Sequence, residues 1–275
     1  MRASRPRPHP RYGQHFLSDG GASRKILDAL GALAGGTVVE IGPGRGALTR
    51  PLLSRGIRVV AFEIDGVLAD ALRRELAGSP LTVLTADALR VDVAAALADA
   101  GAAPPVPLVG NLPYESATPM IRAFVRRPDL FSRLVVMVQK EVGDRLVASP
   151  RTPAYGYLTL DAGAHAAARR LFDVKPHAFS PPPKVMSTVL ELIPRPAGDG
   201  AAAALAAASA GFSQRRKTLV NALSPSYGRE GAAAAVAALG LLPTVRAEEL
   251  SLSEFEALAV RLGPPRSARI EAEAS

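Results

Sequence analysis

Short apolar runs alternate with helical patterns between residues 37 and 140, and this alternation restricts the fold more than any other feature. The runs are rich in Val, Leu and Ile and span residues 37–41, 58–64, 81–85, 106–110 and 134–138. Such continuous runs are typical of strands that are covered on both faces. Between them, as in Leu68, Leu72 and Leu76, apolar residues recur at helical spacing. The sequence therefore predicts an α/β fold with a mostly parallel, doubly wound sheet.

The pattern changes after residue 141. Residues 155–174 predict a helix followed by a strand, and residues 184–193 predict a second late strand. A turn with three consecutive prolines, at residues 181–183, precedes the second of these strands. We expect the two late strands to form an antiparallel hairpin at one edge of the sheet.

A linker is predicted at residues 194–200, where the sequence PRPAGDG combines Pro, Gly and Asp. The sequence beyond it shows only helical patterns, at residues 201–210, 213–223, 231–239 and 253–262. We therefore expect four parts, namely a flexible basic arm at residues 1–11, an α/β domain at 12–194, a small all-α domain at 201–263 and a tail at 264–275.

The charge balance favours a polyanionic partner. The 275-residue chain has a formal net charge of +8 and a pI of about 10.3, and Lys and Arg release counterions when they bind phosphates. The absence of cysteine excludes disulfides and thiolate metal sites. No apolar run reaches the roughly 18 residues of a membrane span, and the basic start lacks the apolar segment of a secretory signal. We expect a cytoplasmic protein with no metal site and no membrane partner.

The segment VVEIGPGRGALT (residues 38–49) predicts a strand, a glycine turn and the start of a helix. Gly42, Gly44 and Gly46 allow a tight turn and a close approach of the backbone to a ligand. Dinucleotide-binding folds use a similar turn with the longer spacing G-x-G-x-x-G. The spacing here is G-x-G-x-G, and Glu40 lies two places before the first glycine. This arrangement resembles motif I of class I methyltransferases and favours S-adenosylmethionine over NAD.

Acidic residues also follow the next two predicted strands. Glu63 lies roughly twenty residues beyond the glycines, where a carboxylate can accept both hydroxyls of a cofactor ribose. Asp65 is the alternative, but it fits better as the N-cap of the following helix. Asp87 follows the third strand, and we expect it to accept a hydrogen bond from the cofactor adenine. Open α/β sheets bind ligands at these carboxyl ends of their strands.

The fourth predicted strand ends in GNLPYES (residues 110–116), which looks like motif IV of N6-adenine methyltransferases. The exocyclic nitrogen of adenine is a poor nucleophile because its lone pair is delocalised into the ring. The side-chain oxygen of Asn111 and the carbonyl of Leu112 can hold the amine hydrogens and aim the lone pair at a methyl donor. Pro113 fixes the backbone so that this carbonyl faces inward. Positioning and electrostatics then supply most of the acceleration.

Two aromatic residues are expected to enclose the target base, which must leave its own stack to be reached. Tyr114 follows directly in the same motif and supplies the first stacking surface. Phe179, in HAFSPPPKV, is the expected second wall, although a Phe in such a segment can equally pack in the core.

Taken together, the chain resembles the ribosomal RNA adenine N6-dimethyltransferase family, specifically its small-subunit branch. The resemblance runs from about residue 11 to residue 262. The segments that carry it are RYGQHFLSD, VVEIGPGRGALT, FEID, GNLPY, MVQKEV, FSPPPKV and FSQRRKTLVNAL. Several ordered motifs at this spacing are far more specific than any one of them alone.

The resemblance implies a Rossmann-like class I methyltransferase domain followed by a small helical domain. It also implies that His15 and Leu17 contact S-adenosylmethionine, and that the other cofactor contacts are Gly42, Gly44, Glu63, Asp87 and Asn111. Many relatives have Asn at the position of His15, so the contact there can come from the backbone instead of the side chain. The implied substrate is a pair of adjacent adenosines in the 3′-terminal hairpin of 16S rRNA in the immature small ribosomal subunit.

The C-terminal basic cluster Arg215, Arg216 and Lys217 helps to separate branches of the family. We expect these residues to open a helix whose N-terminal amides and basic side chains bind RNA phosphate. The surrounding sequence SQRRKTLVNAL resembles the small-subunit branch. The Erm branch, which methylates 23S rRNA, tends to lack it and is the alternative among enzymes.

Other classes of function predict features that the sequence lacks. A non-catalytic assembly factor on the same fold predicts damage in motif I or motif IV, and both motifs are intact. A dehydrogenase predicts the longer glycine spacing. A DNA adenine methyltransferase predicts a larger sequence-reading domain than the chain beyond residue 200 provides. We expect a monomer, because the sequence shows no dedicated interface pattern.

Overall fold

The structure is a computed structural model and describes residues 14–33 and 35–266. The predicted basic arm at residues 1–11 and residues 267–275 of the predicted tail lie outside the described residues. The chain divides into two compact units. The first comprises Met1–Gly143 and Ala166–Arg195, and the second comprises Asp144–His165 and Pro196–Ser275.

The first unit follows the predicted alternation of strands and helices. Its strands are β1 Phe16–Leu17, β2 Thr37–Ile41, β3 Arg58–Glu63, β4 Leu81–Thr85, β5 Val106–Asn111, β6 Phe131–Gln139, β7 Ala166–Val174, β8 Phe179–Ser180 and β9 Ser187–Pro194. Its helices are α1 Gly20–Ala29, α2 Thr49–Ser54, α3 Gly66–Glu75, α4 Val93–Asp99, α5 Ala117–Val125 and the first turn of α6 Lys140–Leu146. The five strands predicted between residues 37 and 140 are all present.

A seven-stranded sheet in the order β4-β3-β2-β5-β6-β9-β7 forms the centre of this unit. Strands β2 to β6 are parallel, and β9 runs antiparallel to both of its neighbours. The late strands β7 and β9 thus form the predicted antiparallel pair at one edge. The inner parallel strands β2, β3 and β5 are buried on both faces, as shown by the nearly complete burial of Val38, Val59 and Val109, whereas β4 at the edge is buried only at Val83.

A second, two-stranded sheet fastens the N-terminal segment to the proline-rich loop. β1 pairs antiparallel with β8, so that Leu17 lies opposite Phe179. Both side chains are buried in the apolar core of the first unit. The backbone amide of Ser18 also donates to the carbonyl oxygen of Ala178 at 2.8 Å. The segment that precedes α1 is therefore held against the loop that precedes β9.

The second unit contains helices and no strands among its described residues. Its helices are the last turn of α6, α7 Tyr157–His165, α8 Ala201–Phe212, α9 Leu219–Tyr227, α10 Arg229–Ala238 and α11 Leu252–Leu262. The alanines of α8 make its close packing possible, because Ala204, Ala207 and Ala208 are fully buried. Phe255 and Leu258 of α11 complete this core.

The structure corrects two of the predicted boundaries. Residues 144–165 were assigned to the α/β domain, but they belong to the helical unit, because Leu160 packs in its core and the Tyr155 hydroxyl donates to the carbonyl oxygen of Leu250 at 2.7 Å. The predicted helix at residues 213–223 begins only at Leu219. Thr218 before it is extended, and the Leu219 amide donates to the carbonyl oxygen of Val245 at 2.7 Å.

None of the helices formed by the described residues combines the length and apolar character that crossing a bilayer requires.

Candidate active site

The glycine turn and motif IV meet where the strand order of the sheet reverses. β2 lies between β3 and β5, and its last residue, Ile41, pairs with Gly110 of β5. A Cβ atom on Gly110 would lie 2.7 Å from the carbonyl oxygen of Ile41, so only glycine allows the two strands to approach this closely. A crevice at such a reversal is the usual ligand site of an open α/β sheet.

The glycine turn has the backbone that the sequence predicts. Gly42, Gly44 and Gly46 all have positive φ angles, of 65°, 55° and 77°. A Cβ atom on Gly44 would lie 3.0 Å from the ring of Phe16, so a side chain at this position would displace the N-terminal segment. The turn therefore fits the close approach of a bound cofactor that the predicted role of Gly42 and Gly44 requires.

Glu63 binds the glycine turn directly. Its carboxylate accepts hydrogen bonds from the amide of Gly44 at 2.9 Å and from the amide of Asp65 at 3.0 Å. The side chain is almost completely buried, and this burial raises the pKa of Glu63 despite the two amide donors. A carboxylate has about four lone-pair sites, so two remain for the ribose hydroxyls of a cofactor. Asp65 caps α3, as the sequence predicts.

Glu40 is a second buried carboxyl next to the turn. It is 1 % exposed, and its Oε2 accepts a hydrogen bond from the hydroxyl of Thr49 at 2.8 Å. Burial, with a smaller contribution from the charge of Glu63, raises the pKa of Glu40 to about 8. The Glu40 side chain is therefore protonated at neutral pH.

Asp87 lies in the loop that follows β4, where the sequence places it. Its Oδ1 accepts a hydrogen bond from the amide of Leu89 at 3.0 Å, and its Oδ2 lies 3.5 Å from Nε of Arg90. The side chain is 30 % exposed, so it keeps acceptor capacity for a ligand. Its contact with the cofactor adenine stays a prediction.

Asn111 ends β5, and one hydrogen bond sets the direction of its side-chain amide. The Nδ2 group donates to the backbone carbonyl oxygen of His15 at 2.9 Å. The Oδ1 atom on the opposite side of the amide is therefore turned away from the N-terminal segment. An acceptor oxygen in this position is what the predicted binding of an adenine amine needs.

Tyr114 lies in the turn between Pro113 and Ser116, just before α5. Its hydroxyl shares a hydrogen bond of 3.1 Å with the hydroxyl of Ser187, and partial burial raises the pKa of Tyr114. The ring of His15 stacks on it at a centroid distance of 5.6 Å and an angle of 29°. The Tyr114 ring is thus held at its edge and against one face.

His15 reaches three parts of the site. Its Nδ1 donates to the carbonyl oxygen of Pro181 at 2.9 Å, its ring contacts Tyr114, and its carbonyl oxygen accepts the amide of Asn111. The Nδ1 atom and the carbonyl oxygen of His15 are thus both engaged with protein groups. The side chain of Leu17 is buried in the core, and the cofactor contacts of both residues stay predictions.

Leu112 of motif IV and Phe179, the predicted second aromatic wall, are buried, whereas Pro113 is partly exposed. Leu112 is 1 % exposed, and its amide donates to the carbonyl oxygen of Met137 at 3.0 Å. Phe179 is 4 % exposed and packs in the core of the first unit. It presents no open ring face in this conformation, and its role as the second wall stays a prediction.

The basic cluster Arg215, Arg216 and Lys217 lies in the turn before α9 and does not open the helix as predicted. All three side chains are exposed. Arg215 donates to the carbonyl oxygen of Tyr155 at 3.2 Å and lies 3.9 Å from the carboxylate of Glu248. The binding of these three residues to RNA stays a prediction. Because they precede α9, the backbone amides of the first turn of that helix are no longer part of the prediction.

Sequence reasoning missed two residues that shape the site. Phe16 lies against Gly44, and the guanidinium carbon of Arg45 lies 4.3 Å from the centroid of the Phe16 ring. Gly110 allows β2 and β5 to approach each other closely. The resemblance of the segment GQHFL to the family was the sequence signal that Phe16 belongs to the site. The position of Phe16 against the glycine turn depends on the pairing of β1 with β8, which the sequence does not reveal. Among the described residues, no group of three or more His, Cys, Asp or Glu side chains could hold a metal ion.

The sheet order, the glycine turn at the strand reversal and the carboxylates beside it define the chain as a Rossmann-like methyltransferase. The profile of the family described as ribosomal RNA adenine dimethylase matches residues 6–262. The chain therefore belongs to the ribosomal RNA adenine dimethylase family and is an rRNA adenine dimethyltransferase, and the resemblance recognised in the sequence is confirmed.

Individual relatives cover nearly the whole chain. The "Ribosomal RNA small subunit methyltransferase A" of Thiobacillus denitrificans is 42% identical over 260 residues, which cover 93% of this chain and 98% of the relative. The protein of the same name from Paramagnetospirillum magneticum is 44% identical over 256 residues, covering 90% and 87%.

Solved structures agree with the fold. A dimethyladenosine transferase from Plasmodium falciparum superposes with a TM-score of 0.75 at 23% identity, covering 91% of this chain and 99% of that chain. The 23S rRNA methyltransferase ErmE superposes with a TM-score of 0.68 at 25% identity, covering 90% and 99%. The predicted Rossmann-like methyltransferase fold is confirmed.

Proposed function

We propose that this enzyme transfers methyl groups from S-adenosylmethionine to two adjacent adenosines in the 3′-terminal hairpin of 16S rRNA, giving N6,N6-dimethyladenosine at each. Its setting is the immature small ribosomal subunit in the cytoplasm, and it acts as a monomer. The observation that carries the proposal is Asn111 at the end of β5, with its amide nitrogen bound by His15 and its oxygen left to accept. The small-subunit name of the relatives supports the choice of target.

The cofactor is held at the glycine turn. Gly42 and Gly44 let the backbone approach it, Glu63 accepts its ribose hydroxyls, Asp87 accepts from its adenine, and the segment of His15 and Leu17 closes over it with backbone groups. These residues fit S-adenosylmethionine, because Gly42 and Gly44 have no Cβ atom where the backbone approaches the cofactor and because Glu63 retains acceptor sites for hydroxyl groups. Bound S-adenosylmethionine supplies an electrophilic methyl group on a sulfonium sulfur.

Asn111 and Leu112 orient the nucleophile. The Asn111 Oδ1 atom and the Leu112 carbonyl accept the two hydrogens of the adenine amine, which draws the nitrogen towards tetrahedral geometry and concentrates its lone pair. Pro113 restricts the backbone that carries the Leu112 carbonyl. No strong base is needed, since the proton that leaves the methylated nitrogen is acidic enough to pass to water. Correct placement of the amine thus provides most of the rate.

Tyr114 holds the flipped base by stacking. The contact with His15 covers one side of the Tyr114 ring, so the adenine takes the other face. Phe179 serves as the second wall, a role that requires its ring, 4 % exposed in the structure, to become accessible to the base. Arg215, Arg216 and Lys217 bind phosphates of the surrounding RNA and add orientation without reading the sequence.

The proposal is tested by offering the purified protein undermethylated small subunits and, separately, large subunits with labelled S-adenosylmethionine. Label in the small subunit alone is expected. The alternative, an Erm-type enzyme, has the structural support of its likeness to ErmE and predicts label in 23S rRNA alone. Absence of label from both, with RNA binding retained, would instead indicate a non-catalytic assembly factor.

A further inference from the structure

A groove of about 1450 Å³ lies in the first unit. Two ion pairs define its walls, since Arg50 of α2 reaches Glu75 of α3, and Arg55 after α2 reaches Asp28 of α1. The groove thus runs over α2 between α1 and α3. Phe16, which lies against the glycine turn, also lines it. The groove therefore borders the candidate active site.

The lining of this groove is strongly basic. Among the described residues that form it, five arginines face one carboxylate, namely Arg24, Arg45, Arg50, Arg55 and Arg74 against Glu75. Glu63, Asp87 and Asn111, the polar residues proposed to bind cofactor and base, are not among these lining residues. The groove is therefore chemically distinct from the cofactor site, although the two share Leu17 and Gly44.

Four of the five guanidinium groups of the groove, those of Arg24, Arg50, Arg55 and Arg74, are available to an anion. Within the described part of the chain, Arg24 and Arg74 form no ion pair, and both are exposed. Arg50 and Arg55 are paired at 2.9 and 2.8 Å, but their carboxylate partners Glu75 and Asp28 are 62% and 66% exposed. Exposed pairs of this kind contribute little to stability, so a phosphate can replace the carboxylate at small cost.

We propose that this groove binds the phosphodiester backbone of the substrate RNA beside the methylated hairpin, an inference that rests on the proposed function. Arginine suits the role because its planar guanidinium donates two parallel hydrogen bonds to phosphate oxygens. Contacts of this type fix the register of an RNA on a protein without reading bases. The groove thus anchors the strand on the catalytic unit, independently of the basic cluster at residues 215–217.

The test uses the full-length chain and a variant with three substitutions, Arg24→Gln, Arg55→Gln and Arg74→Gln. The matched control is Arg58→Gln, Arg126→Gln and Arg127→Gln, which removes the same charge from residues that do not line the groove. The dissociation constant for a naked 16S rRNA 3′-terminal fragment is measured over a range of KCl concentrations. KM and kcat on undermethylated small subunits and the dissociation constant for S-adenosylmethionine are measured alongside.

The groove variant is expected to bind the RNA fragment about tenfold or more weakly, with a salt slope lower by about two to three, because each lost phosphate contact removes roughly 0.7 to 0.9. KM should rise correspondingly, with kcat and cofactor affinity close to wild type. Equal slopes for the groove variant and the control would overturn the proposal. Weakened binding to whole subunits but unchanged binding to naked RNA would also overturn it, since the partner would then be a protein.

Two further arms keep the result interpretable. Arg24→Gln alone removes an exposed side chain that forms no ion pair, and it is expected to reduce the salt slope by about one. This single variant still tests the proposal if the triple variant does not fold. Failure of the proposed function is recognised separately, because wild-type protein would then leave the small subunit unlabelled. The RNA-binding comparison would still decide whether the groove binds a phosphodiester backbone.

Discussion

Asn111 shows how a single residue connects sequence motif to chemistry. The motif predicts an amide at the end of β5, but an amide has a donor end and an acceptor end, and the sequence does not say which faces the ligand. The hydrogen bond from Nδ2 to the His15 carbonyl oxygen settles the orientation. The N-terminal segment therefore contributes to the active site through its backbone.

Replacement of Asn111 by Ala is expected to lower turnover on small subunits by about a hundredfold or more, the usual cost of losing one oriented hydrogen-bonding group in a reaction centre. The dissociation constant for S-adenosylmethionine should change far less. Glu115→Gln alters an exposed residue of the same turn and serves as the control. Full activity of Asn111→Ala would remove the residue from its proposed role.

Tyr114 offers a test that separates stacking from hydrogen bonding. Tyr114→Phe loses only the 3.1 Å bond to Ser187, whereas Tyr114→Ala also loses the ring proposed to stack on the base. We expect a severalfold loss of kcat/KM for Phe and about ten- to a hundredfold for Ala, as base stacking on an aromatic ring predicts. Fluorescence of 2-aminopurine at the target position reports the stacking directly. Equal losses for the two variants would exclude the stacking role.

At the scale of elements, the pattern in the sequence predicted the strands better than the helix starts. Every predicted parallel strand lies within two or three residues of its observed bounds, because continuous Val, Leu and Ile runs are buried on both faces. The start of α9 was misplaced by six residues, from 213 to 219. A tertiary hydrogen bond to Val245, invisible to any local pattern, fixes that start.

Sequence reasoning was limited in the same way for the site. The positions of the glycines, Glu63 and Asn111 at the ends of strands could be predicted, whereas their roles toward cofactor and base stay predictions. The burial of Phe179 and the position of Phe16 could not, since both depend on the pairing of β1 with β8 across 160 residues or more of chain. Long-range pairing of two-residue strands leaves no periodic signal.

The strand β2 carries a testable pH dependence of stability through Glu40. Its pKa is raised from 4.5 to about 8 in the folded protein, so the folded state retains a proton that the unfolded chain releases between these values. The free energy of unfolding should therefore decrease as pH rises through this window, by up to ~1.4 kcal/mol per pH unit. Glu40→Gln keeps an acceptor for Thr49 and should remove this contribution.

Urea unfolding of wild type and Glu40→Gln at several pH values between about 5 and 9 measures the difference. The variant should gain stability relative to wild type as pH rises and keep that gain above the folded pKa. A difference that does not vary with pH would show that Glu40 is already ionised in the folded protein.

At the scale of the whole molecule, the chain consists of a catalytic unit and a helical unit that is not continuous in sequence. After β6 the chain leaves the sheet, and residues 144–165 pack in the helical core. The chain then returns to the sheet as β7. The prediction of one uninterrupted α/β domain is wrong here. An apolar pattern typical of a helix does not show which of the two cores will bury that helix. Basic residues occur on both units, which suits a large RNA substrate.

The most direct test of the whole account is the location and number of methyl groups on the product. Undermethylated small subunits are incubated to completion with labelled S-adenosylmethionine, and the rRNA is digested and analysed by mass spectrometry. The account predicts two methyl groups on N6 of each of two adjacent adenosines in the 3′-terminal hairpin, formed about a hundredfold or more slowly when Asn111→Ala replaces wild type. Methylation at any other position, or in 23S rRNA instead, would contradict it.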